Sequence, residues 1–73
     1  LNIFPNPTNG NVQIKNQFNK ICSYILYNIN GEKISKLNFL NPHETQTIYL
    51  QSGIYNMKIY LEKYVTNKKI VVF

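Results

Sequence analysis

The 73-residue chain has no arginine, aspartate or tryptophan, and only one cysteine, one histidine and three glutamates. Each scarcity removes a class of function. A lone Cys22 cannot close an internal disulfide, and no Cys/His cluster offers a zinc staple. Three scattered carboxylates (Glu32, Glu44, Glu62) leave no pair for general acid and base work. His43 sits in Asn41-Pro42-His43-Glu44, a solvated loop where one His and one Glu make neither a triad nor a metal site. There is no glycine-rich phosphate loop. The segment is therefore not expected to be an enzyme or to hold a cofactor. Nucleic-acid readers depend on arginine for bidentate contacts to bases and phosphates. With no arginine and no aromatic-interleaved basic stripe, nucleic acid is not an expected partner. No apolar run approaches the ~20 residues of a membrane span. The N-terminus lacks the basic, apolar and small-residue order of a signal peptide.

Seventy-three residues form one domain, which buries about 60 % of its unfolded surface and must hold itself by packing. The chain begins at Leu1 in apolar sequence without a methionine and reads as a piece of a longer protein. Its net charge is +5, carried by eight lysines. Only Lys68-Lys69 are adjacent, and the others are spread out as on a solvated face. Lysines on edge strands also oppose edge-to-edge aggregation.

What the chain does have is short apolar runs between turn signals. Leu1 to Phe4 is a brief apolar segment, stopped by Pro5-Asn6-Pro7-Thr8-Asn9-Gly10. The prolines fix φ and remove donors, and Gly10 supplies a positive φ, so this is a rigid turn. Asn11 to Lys15 alternates, with Val12 and Ile14 on one face. Asn16 to Asn19 is a polar connection. Lys20 to Asn28 puts Cys22, Tyr24 and Leu26 on one face and Ile21, Ser23, Ile25 and Tyr27 on the other. Apolar residues on both faces predict a central strand with its outer face partly covered.

Asn28-Ile29-Asn30-Gly31 is a hairpin signal, either a two-residue type I′ turn or a type I turn with a glycine bulge. Glu32 to Phe39 is expected to return as a strand, with Ile34 inward and Lys33 and Ser35 outward. After Asn41-Pro42, Gln46 to Leu50 alternates with Ile48 and Leu50 in phase, and Gln51-Ser52-Gly53 turns the chain. Ile54 to Leu61 places Tyr55, Met57, Ile59 and Leu61 on one face. Beyond Glu62 to Asn67, residues Lys68 to Phe73 form a last strand. Six or seven strands at about 8–12-residue spacing predict an all-β, Ig-like sandwich of about seven short, mostly antiparallel strands, without the Cys…Trp…Cys framework of antibody domains.

Four stretches resemble one family. Ile3-Phe4-Pro5-Asn6-Pro7-Thr8-Asn9-Gly10-Asn11-Val12 resembles the opening Tyr-Pro-Asn-Pro-x-x-Gly-x-Val motif of type IX (Por) secretion C-terminal sorting domains, with Phe4 in place of the commoner Tyr. Tyr24 to Ile34 resembles the family's central hairpin, Gly53-Ile54-Tyr55-Asn56-Met57-Lys58-Ile59 its Gly-Ile/Val-Tyr strand, and Lys68-Lys69-Ile70-Val71 its closing basic-then-apolar strand. Many members end in Lys or Arg, whereas this chain ends in Phe73.

The resemblance implies a single C-terminal sorting domain over residues 1–73, part of a longer secreted protein. Its parent would pass through the periplasm to the cell surface or the extracellular space. Implied partners are the type IX outer-membrane translocon, its shuttle proteins and a surface sortase that removes the domain. The carried-over contacts are Pro5, Asn6, Pro7 and Gly10, then Gly53 and Tyr55, then Lys68, Lys69, Ile70 and Val71. Cleavage would fall upstream of Leu1 or near it.

Each of these residues also has a structural reading. Pro5, Pro7 and Gly10 are turn-formers, Gly31 and Gly53 meet backbone geometry, and Tyr55 is a core or strand-end residue. Cys22 reads as a small buried hydrophobe. Tyr24, Tyr27, Tyr49, Tyr60 and Tyr64 serve either as a sugar platform or as ordinary cross-strand packing. The alternative function is accordingly an Ig-like accessory or carbohydrate-binding module of a surface protein. Edge-strand pairing between two copies is a further expected interaction.

Overall fold

Alternation drives the structure. In the second strand Val12 and Ile14 are fully buried while Asn11, Gln13 and Lys15 are exposed, the pattern of a strand with one face on a core. The computed structural model describes residues 1–4 and 9–73. The turn expected over Pro5-Asn6-Pro7-Thr8 lies outside the described residues. Seven strands form: β1 (Asn2–Phe4), β2 (Asn11–Lys15), β3 (Cys22–Asn28), β4 (Asn38–Leu40), β5 (Thr45–Tyr49), β6 (Gly53–Leu61) and β7 (Tyr64–Val72).

They make two antiparallel sheets, β1-β2-β5 and β4-β3-β6-β7. The inner faces meet in one core. Val12, Ile14 and Leu50 from the first sheet's side pack with Cys22, Tyr24, Leu26, Leu40, Met57, Ile59, Ile70 and Val72 from the second, and Leu1 joins them. β3 is central, as its apolar faces predict, with Ser23 and Ile25 on the outer side each only 9 % exposed. The Tyr24 hydroxyl crosses the sandwich and donates to Gln46 Oε1 at 2.8 Å. Gln46 Nε2 in turn donates to the Phe39 carbonyl at 3.2 Å.

The hairpin after β3 is the glycine-bulge form. Gly31 takes φ 82° and donates its N–H to the Asn28 carbonyl at 3.0 Å. Ile29 and Asn30 are not in the left-handed region, as a type I′ turn would demand. Asn28 Oδ1 accepts from the N–H groups of Asn30 at 3.0 Å and Glu32 at 2.9 Å, an Asx turn that fixes the bend.

The return from this hairpin differs from expectation. Lys33 makes one bridge to Tyr27, and regular pairing resumes only in β4. Ile34 points outward, 43 % exposed. The cause is Ser35, whose hydroxyl accepts the Leu26 N–H at 2.9 Å and donates to the Lys36 carbonyl at 3.0 Å. A side chain thus replaces a ladder partner, and the segment leaves the sheet. The last strand also starts earlier than predicted. Glu62 takes φ 53°, which allows a two-residue Glu62-Lys63 turn without glycine, and the β6–β7 pairing runs from Leu61↔Tyr64 to Gly53↔Val72.

Asn16, read from sequence as part of a polar connection, is fully buried. Its Nδ2 faces three carbonyls, those of Lys20 at 2.8 Å, Leu40 at 3.1 Å and Asn41 at 3.2 Å. Oδ1 accepts the Phe18 N–H at 2.9 Å. Its backbone N–H donates to Glu44 O at 2.9 Å, and its carbonyl accepts from His43 N–H at 2.8 Å. One residue therefore ties the end of β2 to Leu40 of β4 in the other sheet and to the β4–β5 loop that joins the two sheets. It also holds His43, which has the unfavourable φ of 64° and whose Nε2 meets Asn19 Oδ1 at 3.0 Å.

Replacing Asn16 by Ala strips the buried Leu40 carbonyl and the Phe18 N–H of their side-chain partner and is expected to cost about 3 kcal/mol. Asn19→Ala, which loses one exposed contact, is expected to cost less than about 1 kcal/mol. Urea unfolding followed by tyrosine fluorescence measures both.

Candidate recognition surface

Gly10 and Gly53 bracket the crossing between the two sheets. Gly10 is buried and takes φ 123°. Its carbonyl accepts the Leu50 N–H at 2.8 Å. A Cβ there would stand 2.9 Å from the Tyr49 ring and 3.1 Å from the Leu50 carbonyl. Both the backbone angle and the space demand glycine.

After Leu50 the chain passes from β5 in one sheet to β6 in the other. Tyr55, near the start of β6, lays its ring beside Gly53, 3.6 Å from where a Cβ would be. Its hydroxyl donates back to the Gln51 carbonyl at 2.7 Å. A tyrosine that bonds backbone four residues upstream as the chain changes sheets is the tyrosine corner of Ig-like sandwiches. Glycine is required at position 53 by its backbone angle, φ 154°, since a Cβ there would only reach ordinary contact distance from the ring.

Among the described residues, β7 has β6 as its one sheet neighbour. Residues Tyr64 to Lys69 are exposed on both faces, whereas Ile70 and Val72 are buried. The β6–β7 hairpin thus projects past the smaller sheet at its Tyr64 end and is anchored at its Val72 end. The predicted contact strand is split by alternation. Lys68 and Ile70 stand on the inner side, where Lys68 Nζ donates to the Leu1 carbonyl at 2.8 Å. Lys69 and Val71 stand on the outer side. Register sets Tyr55 opposite Ile70 and Gly53 opposite Val72. Gly10, the tyrosine corner and the end of β7 are therefore joined through one crossover at one end of the sandwich. Pro5, Asn6 and Pro7 lie outside the described residues.

Charge and reactivity complete the surface. Among the described residues one salt bridge forms, between Lys20 and Glu62, both solvent-exposed. Such a pair is worth little. Cys22 is 1 % exposed, and burial raises its thiol pKa, which keeps it protonated and poorly nucleophilic. Burial likewise raises the Tyr24 phenol. Sequence reasoning missed Asn16, because nothing in Lys15-Asn16-Gln17 distinguishes a buried amide from a loop residue. It also passed over the outer face of β6 and β7, where Lys58 Nζ lies 5.9 Å from the Tyr60 ring centre.

The described residues thus form a small sandwich of two antiparallel sheets with one buried thiol. The chain belongs to the secretion system C-terminal sorting domains, a family that matches residues 2–73. It carries a type IX sorting signal, in a family that is not one of enzymes. Such a signal implies export to the cell surface or extracellular space and interaction with that secretion system. A search of curated proteins finds no match to the chain.

Tyr55→Phe removes the corner bond alone and is expected to cost about 1 kcal/mol. Gly10→Ala, which adds strain and a collision, is expected to cost about 2 kcal/mol or more. Cys22 should resist a thiol reagent such as dithiobis-nitrobenzoate in the folded domain and react fully in urea. Rapid labelling of the native chain would contradict its burial.

Proposed function

We propose that residues 1–73 are the terminal sorting domain of a longer secreted protein, delivered through the periplasm to an outer-membrane type IX translocon with its shuttle proteins. A surface sortase then cleaves the domain from its cargo upstream of Leu1 or near it. The observation that carries this reading is the match to the sorting-domain family over residues 2–73. The exposed β7 edge supplies a physical means. A receptor strand laid along the Tyr64 to Asn67 half of β7 gains main-chain hydrogen bonds, while the side chains of Lys68, Lys69 and Val71 beyond it add specificity. The rigid crossover built by Gly10, Gly53 and Tyr55 holds that strand in place, and Pro5, Asn6 and Pro7 are further contacts on the strength of the family motif alone. A second copy is another strand donor for the same edge.

The test is secretion of a periplasmic reporter fused to Leu1–Phe73, in a type IX-competent strain and in its translocon-deficient partner. Reporter is expected outside the competent strain only, with the domain clipped off. Deleting Lys68–Phe73 also removes the core residues Ile70 and Val72, so it confounds recognition with unfolding. Lys69→Glu with Val71→Asp keeps the core and is expected to cut export about tenfold at near-normal stability. Export unchanged by that pair, in a domain that still folds, would remove β7 from the recognised surface. Retention of even a lengthened fusion in both strains would favour an accessory module instead.

A further inference from the structure

The two outer faces of the sandwich differ in kind. On the three-stranded sheet Asn11, Gln13, Lys15, Thr45 and Thr47 make a polar surface, with Phe4 and Tyr49 its apolar exceptions. The four-stranded sheet is apolar along one register row. Phe39 of β4 stands opposite Ser23 of β3, Ser23 opposite Tyr60 of β6, and Tyr60 opposite Val65 of β7. Directly opposed residues share a face, so the row crosses the full width of the sheet. At its two ends Phe39 is 62 % exposed and Val65 53 % exposed. Ile21, in phase with Ser23 one residue before β3, is exposed as well. An open apolar patch of this kind marks a surface that meets a partner.

The charge on this face has one sign. Lys58 lies on the same side of β6 as Tyr60, its Nζ 5.9 Å from that ring's centre. Lys33 bridges Tyr27 and shares the outer face with it. Lys69, also on that side, is already engaged within the chain. No acidic residue occurs in β3, β4, β6 or β7. The glutamates stand on turns and loops and are engaged there: Glu62 with Lys20, Glu32 with Asn28 Nδ2 and Glu44 with the Asn41 N–H.

We infer that the outer face of the four-stranded sheet docks on an anionic lipid bilayer, resting on it without crossing it. Composition and charge complementarity select that partner. Phe39, Val65 and Ile21 reach the acyl boundary, and the hydroxyl-tipped rings of Tyr27 and Tyr60 suit the headgroup layer. The stems of Lys33 and Lys58 lie along apolar surface while their ammonium groups meet lipid phosphates. A fluid bilayer adapts to apolar and cationic groups intermixed over a sheet, whereas a protein partner needs them at fixed positions. The shortest dimension of the domain is 16 Å, beyond the ~8 Å Debye length at physiological salt, so Lys15 on the other face does not share in the attraction. The inference goes beyond the sorting reading and stands on this face alone.

The test floats the 73-residue chain with vesicles of phosphatidylcholine and phosphatidylglycerol in equal parts, and with phosphatidylcholine vesicles alone. Binding to the anionic vesicles is expected to be at least about tenfold stronger than to the neutral ones and to fall as salt rises. Phe39→Ser with Val65→Ser should weaken it at least about tenfold, and Lys33→Gln with Lys58→Gln should do likewise. Tyr49→Ser with Lys15→Gln, matched changes on the other face, should leave it within about twofold. Amide spectra establish that each variant is folded. In bicelles carrying a spin-labelled lipid, the amide signals of Ser23, Phe39, Tyr60 and Val65 should broaden while those of Gln13 and Thr47 stay sharp. The inference fails if anionic vesicles float no protein, if neutral ones float as much, if either outer-face variant binds like the parent chain, or if broadening falls on the Gln13 side. Soluble polyglutamate bound as tightly, and weakened equally by the Phe39 and Val65 changes, would reassign the face to an acidic protein and overturn it. Flotation involves no export, so its failure is separable from failure of the reporter assay.

Discussion

The sandwich depends on one buried amide. Asn16 is fully enclosed, yet both ends of its side chain and both of its backbone groups are bonded. In a low-dielectric interior such a node is strong when complete and costly when broken. It sits where β2 ends and where the β4–β5 loop turns, so it fixes the two sheets against each other at one end. With a single cysteine, the chain has no covalent alternative.

The other end is fastened by different chemistry with the same logic. The Tyr55 hydroxyl holds the crossover carbonyl of Gln51, and Gly10 closes on Leu50. Between these ends Tyr24 spans the core to Gln46. Each tie is polar and directional and reaches backbone, directly or, for Tyr24, through Gln46, so each fixes register where apolar packing alone is permissive. Hydrophobic burial brings the sheets together, and these bonds select one arrangement of them. That division matters in a domain of this size, whose core is small relative to its surface.

Such a frame leaves β7 in an unusual position. Its second half is locked into the core through Ile70 and Val72, while its first half is exposed on both faces. The domain thus exposes the Tyr64 to Lys69 half of β7 on both faces without surrendering its own packing. Lys68 adds a link between the two ends of the chain by holding the Leu1 carbonyl. The proposed recognition surface and the fold share the same strand, so a change that tests one must leave the other intact.

The sequence alone determined what local periodicity encodes. Val12 with Ile14, Cys22 with Tyr24 and Leu26, and Met57 with Ile59 declare their buried faces, because a strand alternates with a period of two. Gly31 and Gly53 declare turns, because few other residues accept their backbone angles. The ordered motifs over residues 2–73 declare the family. What only the tertiary structure decided involves partners distant in the chain. Asn16 becomes a core residue because Leu40, Asn41, His43 and Glu44 arrive around it. Ile34 turns outward because Ser35 captures the Leu26 N–H. Glu62 turns left-handed within the long β6–β7 hairpin. Lys58 and Lys69, eleven positions apart, become diagonal neighbours through a register that neither local stretch contains. Period and turn chemistry are written within a few residues, whereas hydrogen-bond partners and cross-strand register exist only once separated segments have met.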